Sequence, residues 1–550
     1  MANKNNKNYA WFKYSLKKND SGLSDQKYKP IHNFPERNNF ETVFFQLGTT
    51  TITGYYLGLQ KNAFSFSQVA KNFINRDWNF ISGLSAQYIL FILEENEAKL
   101  TVISDNTGSF PIYFSKVDNT IYFSPNIDFF TEILDSLTIN VFTTLNMVCH
   151  LDAFEEETLF TEVSRIPPSC FFTIENGKEI GINSYLKELI YSNNKQTVKK
   201  FPDFESFKKS FLYTLEEVVS DYLFAIGDKN YISDLSAGFD SSLISYMLNR
   251  LNPKKTQCLY VDLPEPFGTQ DKHCIHQFAK KHSLKYDVLI NNYEELEKTA
   301  FYISQYPASY NNYSMDLRLR YMFEKHQAKI NFTGHGGDEL FGAPPIRERF
   351  LIKPYALHSL TLKKTLTTVV DVFSQKGIST ISNSEKFEKA MYYPTLVSDS
   401  VISNNQKRFP EYWKNNACML SPLTDPRMIA ICQKAPTKKD GKPMFQKDFW
   451  ATVGPEIHTQ RHFSKNKIDE FGSQLEELIR VNTDQIISHL KQSPLAQTGL
   501  FKFDFFITQL TSSELYKQKI DMSNLYWIFI IRLSSYIRYL SQNKQVKIKI

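Results

Sequence analysis

Leu235-Ser236-Ala237-Gly238-Phe239-Asp240-Ser241-Ser242 lies between a strand-like run, 231–235, and a helical pattern over about 241–251. A strand that enters a turn of small residues and leaves as a helix is the building unit of doubly wound parallel sheets. Downstream the alternation continues: strand 257–263, helix 270–282, strand 286–290, helix 294–305, helix around 316–326 and strand 329–333. This order predicts an α/β fold with a parallel sheet covered on both faces. An amphipathic helix is expected over 204–223, and from about residue 350 onward the pattern is mainly helical, predicting a helical half packed against the sheet. The first 190 residues differ, with short β-type runs at 42–47, 54–59, 88–93, 100–104, 111–114, 120–123 and 170–174 separated by turn residues. A polar stretch, 192–200, separates the two regimes. Two domains are expected, a sheet-rich one over 1–195 and an α/β one over 204–550.

The turn at 235–242 carries the first chemistry. Ser236, Gly238, Ser241 and Ser242 offer small side chains and hydroxyl donors where the N–H groups of a helix N-terminus can receive an anion. Asp240 does not suit a bare phosphate, but a carboxylate beside phosphates is useful when a metal ion lies between them. The same residues could equally cap a helix. A second stretch, Thr333-Gly334-His335-Gly336-Gly337-Asp338-Glu339-Leu340-Phe341-Gly342, also follows a predicted strand. Its glycines imply close backbone approach to a ligand or positive φ, and Asp338 offers a second hard oxygen. Together the two loops describe Mg²⁺ held by Asp240 and Asp338 over a polyphosphate. They form an ATP site without the Gly-x-x-x-x-Gly-Lys signature.

Composition narrows the class. The 550 residues carry 64 Lys plus Arg against 58 Asp plus Glu, a net charge of +6 with no concentrated basic arm, so nucleic acid is not an expected partner. Hydrophobic residues at 42% and charged residues at 22% fit a folded globular chain. The most lipid-like run, 525–531, is far short of the roughly 20 residues of a membrane span. Six cysteines at 149, 170, 258, 274, 418 and 432 show no zinc-type spacing. Reduced thiols and a cytoplasmic location are expected, with no membrane partner.

The two loops resemble the paired signatures of the asparagine synthetase and β-lactam synthetase superfamily, S-G-G-x-D-S and [ST]-G-x-G-x-D-E-x-F-G. The likeness extends into the first domain, where Asp105-Asn106-Thr107-Gly108-Ser109-Phe110-Pro111 is similar to R-D-x-x-G-x-x-P, and Thr158-Leu159-Phe160 through Arg165-Ile166-Pro167-Pro168-Ser169 to T-L-F-x-x-I-x-x-L-P-P-G. The resemblance implies an N-terminal amidotransferase-like domain of the Ntn type. It also implies a C-terminal ATP-pyrophosphatase domain with ATP and Mg²⁺ as cofactors. On this basis Leu235, Ser236, Ala237, Gly238, Asp240, Ser241 and Gly334 contact ATP or pyrophosphate, and Asp240 and Asp338 hold the metal. Lys442 resembles a pyrophosphate-contacting lysine. Lys465, which follows Pro455-Glu456-Ile457-His458-Thr459-Gln460-Arg461, resembles the lysine that stabilises the oxyanion, with Lys467 as an alternative.

Departures from the pattern direct the functional reading. Glutamine-dependent members carry a nucleophilic cysteine directly after the initiator Met, whereas Ala2 stands there in this sequence. Ammonia release by that route is not expected, and the amine would come from the substrate. Ala237 replaces a loop glycine, which is tolerable at negative φ. His335 occupies the position of a family acid/base residue, and an imidazole could take a proton from an attacking ammonium or merely brace the loop. The combination most resembles the lasso peptide macrolactam synthetases. These join a peptide N-terminal amine to an Asp or Glu side chain, with a leader peptidase and a leader-recognition protein as implied partners. A β-lactam synthetase-type cyclase, an ammonia-dependent asparagine synthetase and an inactive binding homologue remain alternatives at this stage.

Overall fold

The computed structural model describes residues 10–15, 31–33, 40–60, 65–150, 156–187, 199–262, 269–290, 312–337, 340, 374–382, 408–409, 411–413, 415–436, 482–511, 523–543 and 547–549. Eighteen strands are present among them. In chain order they are β1 (Trp11–Ser15), β2 (Ile31–Asn33), β3 (Glu41–Leu47), β4 (Thr50–Gly58), β5 (Ala86–Glu94), β6 (Lys99–Ser104), β7 (Ile112–Val117), β8 (Thr120–Ser124) and β9 (Ser136–Thr138). There follow β10 (Ser164–Ile166), β11 (Cys170–Glu175), β12 (Lys178–Ser184), β13 (Tyr231–Leu235), β14 (Gln257–Asp262), β15 (Tyr286–Ile290), β16 (Ile330–Phe332), β17 (Cys418–Leu420) and β18 (Lys547–Lys549).

The N-terminal part stacks two antiparallel sheets, of orders β10-β7-β8-β1-β2 and β12-β11-β6-β5-β4-β3. Strand β5 shows why they stack. Its run Tyr88-Ile89-Leu90-Phe91-Ile92-Leu93 is buried throughout, and successive side chains point to opposite faces. Ile89, Phe91 and Leu93 face the other sheet, where Phe91 stacks on Phe12 with ring centroids 4.2 Å apart. Tyr88, Leu90 and Ile92 face helices Phe66–Ile74 and Trp78–Ser82.

The second unit holds a five-stranded, all-parallel sheet of order β15-β14-β13-β16-β17. Helices Phe204–Ile226, Phe239–Leu251 and Thr269–His282 pack on one face through Leu215, Val219, Leu243, Met247 and Phe278. Helix Asn312–His326 covers the other through Leu319 and Met322, against Ile232 and Leu259. The doubly wound expectation is met, with β13 and β15 at their predicted limits. The region after residue 350, read as helical, also contributes two strands: β17 extends the parallel sheet and β18 pairs with β9.

The place of the C-terminal helices corrects the sequence reading. Helices Thr483–Lys491, Phe503–Thr511 and Ser523–Asn543 were expected on the parallel sheet. They pack instead on N-terminal elements, with Trp527, Ile531 and Ile537 joining Ile127, Phe130 and Phe160 in one buried cluster. An apolar stripe requires a partner without naming it. The predicted helix at 294–305 lies outside the described residues.

An aromatic wedge joins the two units. Trp413 contacts Phe110 and Tyr55 edge-on, each at 5.4 Å, and Phe409 by stacking at 5.3 Å. Asp105 shapes the turn that presents Phe110, its carboxylate accepting hydrogen bonds from the N–H groups of Thr107, Ser109 and Phe110 at 2.9, 3.1 and 3.0 Å. Burial pushes this carboxyl up to about 6, against the opposing pull of those donors. A raised folded-state value means that the stabilising contribution is full below the ordinary carboxylate value near 4 and is lost as pH rises through about 6. Relative to Asp105→Asn, the wild-type protein should therefore lose melting temperature between pH 4 and 7. A difference that stays flat with pH contradicts this assignment.

Candidate active site

The parallel sheet reverses its strand order beside β13. From β13 the chain steps outward through β14 to β15, then returns to the other side of β13 as β16. Loops leaving the C-terminal ends of two strands that diverge in this way open a crevice between them, where ligands of open α/β sheets bind. Those loops are 236–238 and 333–337, the two stretches singled out by sequence.

Hydroxyl groups fix the first loop. Ser236 Oγ accepts from Gly238 N at 3.0 Å and lies 2.6 Å from Ser241 Oγ, while Ser242 Oγ donates to the carbonyls of Ser236 and Gly238 at 2.9 and 2.8 Å. Gly238, which has no side-chain acceptor of its own, caps helix Phe239–Leu251, and a helix N-terminus favours an anion. Asp240 sits in that turn and is half-buried. Ala237 is buried in the core and does not adopt positive φ, so its methyl fits as expected. Leu235, buried at the end of β13, anchors the loop.

The second loop is held from the side of β17. Thr333 N donates to Leu420 O at 2.9 Å, and its hydroxyl lies 2.9 Å from Ser421 Oγ. Thr333 Oγ1 also accepts from His335 N at 3.3 Å, and His335 is half-buried. Beneath the loops, Asn331 on β16 donates through Nδ2 to Asp234 on β13 at 3.0 Å and to the Tyr412 hydroxyl at 2.7 Å. Arg318 Nη1 closes on Asp234 at 2.6 Å. A charge-assisted network around buried Asn331 and Tyr412 thus fastens together the two strands that bear the loops.

The glycines bring the loops into contact. A Cβ at Gly334 would overlap the backbone of Asp240 and Ser241, and one at Gly337 would overlap the Asp240 carboxylate. The close approach expected of these glycines is therefore to the first loop, with Asp240 lying against the start of the segment that carries Asp338. Gly336 has φ +95°, and its added Cβ would meet the Thr424 methyl at 2.6 Å. Asp338, Lys442, Lys465 and Lys467 lie outside the described residues, as does the 455–461 segment. The described donor set of Asp240, Ser236 and Ser241 is all hard oxygen, which suits Mg²⁺ with phosphate. No group of three or more potential metal ligands occurs among the described residues.

Sequence reasoning missed the turn 421–425, whose Ser421 and Thr424 touch the second loop. Asp425-Pro426 reads only as a helix start, Asp425 capping helix Pro426–Cys432 with Pro at its first position. No described helix is long and apolar enough to cross a membrane.

Comparison with known proteins matches residues 211–425 to the family described as Asparagine synthase. A comparison with curated proteins finds no match. Among solved structures, the chain is similar to the allosteric regulatory enzyme of purine biosynthesis at 10% identity and TM-score 0.21, over 52% of this chain and 75% of that one. It is also similar to an NH3-dependent NAD synthetase from Campylobacter jejuni, at 15% identity and TM-score 0.20 over 38% and 95% of the chains. A U34-tRNA thiolase from Methanococcus maripaludis gives 15% identity and TM-score 0.20 over 38% and 80%. At these scores the structural likenesses carry no argument, and the assignment rests on the family match over both loops. Residues 211–425 carry an asparagine synthase domain of the asparagine synthetase superfamily, whose two signature loops meet at the strand-order reversal of its parallel sheet.

Proposed function

We propose that the chain is an ATP-dependent carbon–nitrogen ligase, forming AMP and pyrophosphate, that closes a macrolactam within a peptide. The observation that carries the ATP-using part is the contact of Gly334 and Gly337 with Asp240 and Ser241, which makes one anion-receiving crevice of two loops. The cyclase reading rests on the resemblance. A leader peptidase and a leader-recognition protein would act beside it, and the cytoplasm is the proposed location.

In this scheme a substrate Asp or Glu carboxylate attacks the α-phosphorus of ATP and pyrophosphate departs. The peptide N-terminal amine then attacks the acyl carbon, forming the amide as AMP leaves. Ser236, Ser241 and the N-terminus of helix Phe239–Leu251 receive the phosphates, with Lys442 as a further contact. Asp240 and Asp338 would hold Mg²⁺, which supplies neutralisation of charge developing on the pyrophosphate. His335 takes the proton that the amine nitrogen loses as it bonds to the acyl carbon, and Lys465 donates to the oxyanion of the tetrahedral intermediate.

Labelled pyrophosphate should exchange into ATP only when the carboxylate substrate is present. Asp240→Asn should remove this exchange through the loss of several kcal/mol of charge stabilisation. Full exchange in that variant would refute the metal role.

The two later groups separate from the first step. Lys465→Ala should retain exchange while macrolactam formation falls by ~10²-fold, the scale of one lost oxyanion donor. His335→Ala should lose most at neutral pH and recover at higher pH, where the amine, with a value near ~8, sheds its own proton. A pH-independent loss would reduce His335 to a loop brace, and undiminished product in Lys465→Ala would shift the lysine role to Lys467.

A further inference from the structure

The sheet-rich N-terminal part that precedes the proposed synthetase raises the question of what it contributes. One contact reaches from it to the turn 421–425, which touches the second loop. Ser85, just ahead of β5 and 2% exposed, donates its hydroxyl to Asp425 Oδ2. Asp425 is held in turn by Arg427, whose N and Nε donate to Oδ1 at 2.9 and 3.0 Å and whose Nη2 donates to Oδ2 at 3.1 Å. Arg427 Nη1 bonds Asp221 at 2.6 Å on helix Phe204–Ile226. The carboxylate is therefore fixed from both units.

The turn ahead of it is stiff. Thr424 N and Oγ1 both donate to Ser421 O, at 2.9 and 2.8 Å, and Asp425 N donates to Pro422 O at 3.1 Å. From its other side the turn touches the second loop twice, through the Ser421–Thr333 hydroxyl pair and the Thr424 methyl against Gly336. The cavity lined by Ser85, Gln87, Thr107, Tyr222, Thr424 and Asp425 holds only about 20 Å³, room for roughly one water.

The Trp413 wedge already joins the two units, so Ser85 is not required to keep them together. Its bond bears on the turn, and through the turn on the segment between Thr333 and Gly337. We infer that Ser85 is a positioning residue: by fixing Asp425 it sets the turn 421–425 and hence the loop bearing His335. This role rests on the synthetase reading above, in which His335 serves the amine-attack step.

The test compares full-length wild type with Ser85→Ala by hydrogen exchange and by turnover. Exchange of the 333–337 amides should accelerate ~10-fold in the variant, the equivalent of one buried hydrogen bond. Exchange in β5 and in helix Phe239–Leu251 should stay at wild-type rates. Macrolactam kcat should fall ~10-fold with the KM for ATP held within about twofold, because misplacement of a reacting group acts on the transition state more than on nucleotide binding. Ser85→Thr, which keeps the hydroxyl, should restore both. Should Ser85→Ala fail to fold, Thr424→Ala removes the contact with Gly336 while leaving the Ser85–Asp425 bond, and should speed the same amides. Unchanged 333–337 exchange, or acceleration spread equally over β5, overturns the inference. Absence of any ATP-dependent turnover in wild type overturns the synthetase reading instead and leaves the exchange comparison standing.

Discussion

The proposed ATP site depends on one contact, the packing of Gly334 and Gly337 against Asp240 and Ser241. Two strand-end loops can meet there because β13 and β16 are neighbours although far apart in sequence. Had the chain continued outward from β15, two strands, β14 and β15, would have separated the second loop from the first. The contact also limits composition, because any Cβ at either glycine would displace Asp240 or the start of its helix. The network of Asp234, Asn331, Arg318 and Tyr412 holds the two strands in the register that this meeting requires.

The rest of the molecule braces that arrangement from outside. Gln87, at the start of β5, donates to Met419 O at 2.8 Å on the edge strand β17, and Ser85 reaches the turn that follows. Polar contacts of this kind contribute modestly to stability but impose direction and register. The larger apolar contribution comes from the aromatic wedge at Trp413 and from the C-terminal helices, which return to N-terminal elements and end with β18 paired to β9. N-terminal elements thus share buried clusters both with the parallel sheet and with the final helices.

Much of this was legible in the sequence, for identifiable reasons. Elements with strong periodicity and clear punctuation, such as β13, β15 and helix Phe204–Ile226, emerged near their predicted limits, because local pattern and tertiary packing agree there. Three-residue strands such as β17 and β18 escaped notice, since they are too short to show a period and are specified by the partner they join. The partner of the C-terminal helices was misjudged because amphipathicity carries no address. The glycines around His335 announced a close approach, but the party approached was Asp240, a relation that only the strand order creates. The Ser85–Asp425 bond spans 340 positions and has no local signature at all.

The most direct test of the shared crevice is a calorimetric titration of Mg·ATP into wild-type protein and into Gly337→Ala. The account predicts that wild type binds and that the variant, whose new methyl would occupy the place of the Asp240 carboxylate, binds at least ~10-fold more weakly while retaining its fold, a loss of about 1.4 kcal/mol or more. Equal affinity in a folded Gly337→Ala protein would contradict it, for the two loops could then not be forming one site.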